Sequence, residues 1–139
     1  MSDEELFATP PDDLTREPRH RVIASMPGPD EAAAAIADLV AQGVAKDDIY
    51  VLFGEEGLRR LDPTGRHHGL KGRILRALDV ALSAGSVLQE YGEHLERGRV
   101  LVSAPARDEK ERKQSQDALR GHGASAMRYY GVATHTDVV

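Results

Sequence analysis

The chain has 139 residues, of which 40% are apolar and 29% charged, and its formal net charge is −5. That is the length of one domain, and a domain of this size buries enough surface to hold a core without staples. There is no cysteine, which excludes a disulfide framework, a thiolate zinc site, an iron–sulfur cluster and a thiol nucleophile.

Residues 1–17 hold six acids and one base, so they account for the whole net charge, and the remaining chain balances at 17 against 17. With Pro10, Pro11 and Pro18 and no apolar period, residues 1–19 read as a disordered acidic tail. The start, Met1 to Glu5, is acidic rather than basic-then-apolar, and no apolar run approaches the ~20 residues that span a bilayer. A soluble, cytoplasmic protein with no membrane partner is expected.

Residues 21–26 (Arg-Val-Ile-Ala-Ser-Met) predict a first strand, stopped by Pro27-Gly28-Pro29. Asp30 and Glu31 open an alanine-rich helix, with Ile36, Leu39 and Val40 on one face and Gly43 as its stop. Residues 49–53 (Ile-Tyr-Val-Leu-Phe) are apolar almost throughout, as in a strand covered on both faces. Residues 55–98 predict a helical insert. Ile74, Leu75, Leu78, Ala81 and Leu82 form one apolar stripe, Gly85-Ser86 interrupts it, and Val87, Leu88, Tyr91 and Leu95 form a second, closed by Gly98. Residues 99–103 predict a third strand, ended by Pro105. Asp108 with Glu111 predicts a capping box for a polar helix running to about Arg120, with Ala106, Ser115, Ala118 and Leu119 on its inner seam. Residues 124–130 predict a fourth strand, and residues 135–139 a C-terminal tail.

The order β-α-β, insert, β-α-β predicts an α+β domain over residues 20–134. Its simplest closure is a ferredoxin-like split β-α-β pair, with a four-stranded antiparallel sheet and two helices on one face. The two halves share an outline, and no repeat is read at the level of residues. The insert must cover either the open sheet face or another copy of the chain, so a homodimer or larger homo-oligomer is expected.

The densest set of chemically capable side chains lies in the insert. Residues 57–76 carry six bases against Asp62, with His67 and His68 besides. Asp62, Arg66, His67, His68, Lys71 and Arg73 form a candidate ligand site, because two guanidinium forks suit a carboxylate or phosphate and the glycines permit close approach. The plainer reading is a solvated turn shaped by Pro63-Thr64-Gly65, with the histidines at a subunit contact. Adjacent histidines rarely face one ion, and neither His-x-x-x-His nor His-Glu-x-x-His occurs, so no metal or cofactor is assigned. A metal-dependent or acid–base enzyme at the same loop is the third reading. Elsewhere, His94 follows Tyr91 by three residues, which suggests an intrahelical contact, and His122 stands at a helix end. There is no Gly-x-Ser-x-Gly elbow, Walker-type loop or Gly-x-Gly-x-x-Gly turn, and aromatics do not interleave with the basic residues, so nucleic acid is not an expected partner.

Two segments carry a resemblance. Residues 22–53, with Pro-Asp-Glu-Ala at the helix start and Asp-Asp-Ile-Tyr-Val-Leu in the second strand, resemble the bacterial general stress protein 17M-like (heat-induced stress protein) domain family. So do residues 95–131, with Leu-Glu-Arg-Gly-Arg-Val-Leu-Val-Ser, Leu-Arg-Gly-His-Gly-Ala and Tyr-Tyr-Gly. The resemblance implies a small cytoplasmic stress-associated protein with no established catalysis, and it supplies no catalytic residues.

Overall fold

The computed structural model describes residues 20–54, 56, 73–76, 91–131 and 135–137. The elements are β1 (Arg21–Met26), α1 (Pro29–Ala41), a 3-10 turn (Lys46–Asp48), β2 (Tyr50–Phe53), β3 (Arg73–Arg76), α2 (Gly92–Glu96), β4 (Val100–Pro105), α3 (Glu109–Gly121), β5 (Ser125–Tyr130) and β6 (His135–Asp137). They form an α+β domain around one sheet of order β3-β2-β4-β1-β5-β6. The four strands β2-β4-β1-β5 are antiparallel throughout, and this order is compatible with the ferredoxin-like arrangement.

Two edges depart from the expected layout. Residues 73–76 form a strand parallel to β2, where a helix was expected. An apolar doublet such as Ile74-Leu75 suits either period, and pairing with β2 decides it. His135–Asp137, expected as tail, pairs antiparallel with β5. Among the described residues the sheet therefore has six strands rather than four.

The strand period sorts the core into two layers. Val22, Ala24, Met26, Val51, Phe53, Val100, Val102, Ala104 and Met127 face one way. On them pack Ala32, Ala35, Ile36 and Leu39 of α1, and Ala118 and Leu119 of α3. The second face holds Ile23, Leu52, Leu101 and Tyr130, with Tyr91 and Leu95 from α2 and its lead-in packed over them. β2 is thus covered on both faces, as its unbroken apolar run implied. Complete burial of Ile23, Leu52 and Leu101 contributes roughly 1.5–3 kcal/mol each. The part of the insert described here packs on the chain's own sheet.

Caps explain where the helices start and stop. The Asp108 carboxylate accepts from the Glu111 amide at 2.7 Å. Glu111 reaches back to the Arg107 amide at 3.0 Å and to the Arg107 guanidinium. This is the predicted capping box, displaced by one residue at its return bond. Gly28 caps α1 with no side-chain bond, and Pro29 supplies a preset φ at the first helical position. Both long helices end two residues before a glycine in the left-handed region, Gly43 (φ 97°) and Gly123 (φ 90°).

A repeat becomes legible once β1 and β4 are paired. Residues 21–31 read Arg-Val-Ile-Ala-Ser-Met-Pro-Gly-Pro-Asp-Glu, and residues 99–109 read Arg-Val-Leu-Val-Ser-Ala-Pro-Ala-Arg-Asp-Glu, identical at six of eleven positions. The halves thus repeat at residue level, contrary to the expectation from outline alone. The pairing Ala24↔Val102, with Ile23↔Ser103 and Ser25↔Leu101, sets the two copies about a local two-fold.

Candidate functional site

The repeat places two matched polar clusters on the second sheet face. In one, Arg21 Nε donates to Ser103 Oγ at 2.6 Å and Arg21 Nη2 to the Ser103 carbonyl at 3.0 Å. Arg21 Nη2 also donates to the Asp48 carbonyl, and the guanidinium lies over the Tyr50 ring, 5.3 Å from its centroid. In the other, Arg99 Nε donates to Ser25 Oγ at 2.7 Å and Arg99 Nη2 to the Ser25 carbonyl at 3.0 Å. A further bond runs from Arg99 Nη2 to Ser125 Oγ at 3.0 Å. Arg21 opens β1 and Arg99 stands one residue before β4, and each serine lies four residues later on the other copy. The diagonal of the antiparallel pair brings them together.

The second cluster has one extra member. His94 Nδ1 lies 2.9 Å from Ser25 Oγ, and the ring meets Tyr91 edge-on with centroids 5.7 Å apart. Burial, then the charges of Arg99 and Arg97, push the His94 pKa below its ordinary value, against a smaller opposing pull from Glu93. A neutral imidazole is an acceptor at Nδ1 when its proton sits on Nε2. With that tautomer, Nδ1 accepts the Ser25 hydroxyl hydrogen while Arg99 Nε donates to the same oxygen.

The Tyr91 hydroxyl fixes the start of α2. It donates to the Ala126 carbonyl at 2.8 Å, with the Ile23 carbonyl at 3.4 Å. Ala126 has φ 50°, at the point where the β1–β5 register shifts. That bulge turns its carbonyl out of the ladder. Gly54 completes the seat, since a Cβ there would lie 3.0 Å from both the Leu95 side chain and the Leu95 carbonyl.

These hydrogen bonds tie β1, β4 and α2 together through their side chains. Ser25 is 0% exposed and its oxygen already receives a guanidinium hydrogen.

Of the residues expected to form a ligand site, Asp62, Arg66, His67, His68 and Lys71 lie outside the described residues. Arg73 begins β3, opposite Tyr50. No group of three or more histidine and carboxylate side chains is gathered to hold a metal among the described residues. No helix among them is long and apolar enough to cross a membrane. The intrahelical contact of His94 with Tyr91 is present, and His122 caps the end of α3, 3.5 Å from Asp38. Spacing along the chain missed the Arg21–Ser103 and Ser25–His94–Arg99 clusters, whose signal was the Arg-Val-Ile-Ala-Ser and Arg-Val-Leu-Val-Ser repeat.

Comparison with known proteins matched no family model, no curated protein and no solved structure.

Proposed function

We propose that this chain is a non-catalytic, homo-oligomeric, cytoplasmic stress-associated protein built on a ferredoxin-like split β-α-β pair. The stress association rests on the motifs of residues 22–53 and 95–131. The observation that carries self-assembly is a contrast between the repeated helices. The outward residues of α1 include Ala34, Ala37, Val40 and Ala41, all exposed, and Val40 is 42% exposed. Counted from the start of each helix, the same positions of α3 hold Gln114, Asp117, Arg120 and Gly121. One copy of the helix thus has a solvated outer face and the other an apolar one, as expected of a surface that meets a second chain. Of the insert's apolar stripes, Tyr91 and Leu95 face the chain's own sheet, and Leu78, Ala81, Leu82, Val87 and Leu88 lie outside the described residues; the contact proposed is α1, whose outer face is exposed and apolar.

The pair of variants Ala37→Glu and Val40→Glu tests this. Each keeps a good helix former at an exposed position, so helix content by circular dichroism is unchanged. Cross-linking of the parent chain yields dimers or larger species, and both variants abolish them. A parent chain that does not cross-link with itself overturns the reading.

A second reading, a small-anion site, is favoured by the register Tyr50↔Arg73, which brings a second arginine to the strand beside the Arg21–Tyr50 contact. Arg66→Ala with Arg73→Ala then removes any melting shift induced by phosphate. An unchanged shift excludes that site.

A further inference from the structure

We infer that His94 is an acid-sensitive latch, holding α2 on the second face of the sheet while neutral and releasing it when protonated. Contacts that hold this five-residue helix among the described residues include the Tyr91 hydroxyl on the Ala126 carbonyl, Leu95 against Gly54 and the Ile23–Leu52–Leu101–Tyr130 layer, and His94 Nδ1 on Ser25 Oγ. Only the last can change its hydrogen-bonding sense within the ordinary pH range.

Protonation at Nδ1 turns the acceptor into a donor. Ser25 Oγ would then face two cationic donors, Arg99 Nε at 2.7 Å and the imidazolium at 2.9 Å. Its own hydrogen would lose the acceptor it has now. A buried hydroxyl without a partner costs stability, and so does a second positive charge on the same oxygen. The groups facing the ring among the described residues reinforce this. They are Arg99 before β4, Arg97 and Glu93 on α2, the Tyr91 ring, and Ser25 on β1. Two arginines oppose the imidazolium and one exposed carboxylate, Glu93, favours it.

The sign of the pH dependence follows from the histidine's lowered pKa. The folded form, with α2 docked, binds fewer protons than the undocked form, so docking is complete above the ordinary histidine value of about 6.5. It weakens as pH falls below that value. Release uncovers the Ile23–Leu52–Leu101–Tyr130 layer.

Hydrogen exchange on the full chain tests the latch at the amides of Arg97, Gly98 and Arg99, which bond to carbonyls within α2. Protection factors there fall between about pH 7.5 and about pH 5, by roughly tenfold for each unit of pKa depression in that window. Amides of α1 and β4 keep theirs. His94→Asn retains an acceptor near the Nδ1 position without titrating, and its α2 protection does not respond to acid. His122→Asn, remote from α2, responds like the parent. Unchanged α2 protection in the parent, an equal loss across α1 and β4, or an undiminished acid response in His94→Asn each overturns the latch. If the Asn variant does not fold, ring resonances of His94 in the parent decide the matter. A midpoint below 6.5 with the proton on Nε2 supports the latch, and a midpoint at or above 6.5 contradicts it.

Discussion

Arg21 and Arg99 each serve one buried serine with two donors, and the energetic consequence lies more with the serine than with the arginine. Ser25 and Ser103 are completely buried, so a lost guanidinium leaves polar oxygens unsatisfied inside the sheet face. Arg99→Ala and Arg21→Ala should each lower unfolding free energy by about 1–3 kcal/mol, read by urea denaturation. Lysine should not restore it, since one ammonium cannot reproduce the Nε and Nη2 pair. A change below about 0.5 kcal/mol for both alanine variants would show the clamps to be incidental. At this scale the sequence was only partly legible. Burial of Ser115, Ala118 and Leu119 on α3 followed from helical spacing. The Ser25–His94–Arg99 cluster did not, because His94 and Arg99 lie 69 and 74 residues from Ser25 and meet it only through the docking of α2 and the pairing of β1 with β4.

Among the elements, the two long helices show how one plan tolerates different chemistry. The cap of α3 rests on Asp108, and Asp108→Ala should cost about 1 kcal/mol in thermal or urea unfolding. Gly28→Ala at the start of α1 loses no side-chain cap. Glu111 is held below the ordinary carboxylate range, chiefly by the hydrogen bond from Arg107. Its contribution is therefore present above the ordinary glutamate value and is lost as pH falls through its folded value. Because Arg107 is largely exposed, the Arg107–Glu111 pair adds little beyond the cap itself. The short α2 depends on its seat. Gly54→Ala places a methyl group against Leu95 and should destabilise the chain by roughly 1–3 kcal/mol while raising exchange at the α2 amides. No change in either measurement would mean that α2 shifts freely. The strands and capped helices of the two halves were legible from period and punctuation. β3 was not, since four residues with an adjacent apolar pair carry too few positions to separate the two periods.

Over the whole molecule, the repeat accounts for the layout better than either half does alone. Two similar β-α-β units pair through β1 and β4, bury one layer under α1 and α3, and carry matched polar clusters on the opposite side. Among the described residues the insert adds a strand beside β2 and a helix whose histidine joins one cluster, both departures from symmetry. The duplicated helices then diverge at their outer faces, polar on α3 and apolar on α1, and that divergence is what supports the proposal of self-association at α1. Light scattering on the full chain over a range of concentrations tests this most directly. A dimer or larger species is expected for the parent chain and a folded monomer for Val40→Glu. A parent chain that stays monomeric at the highest concentration would contradict it.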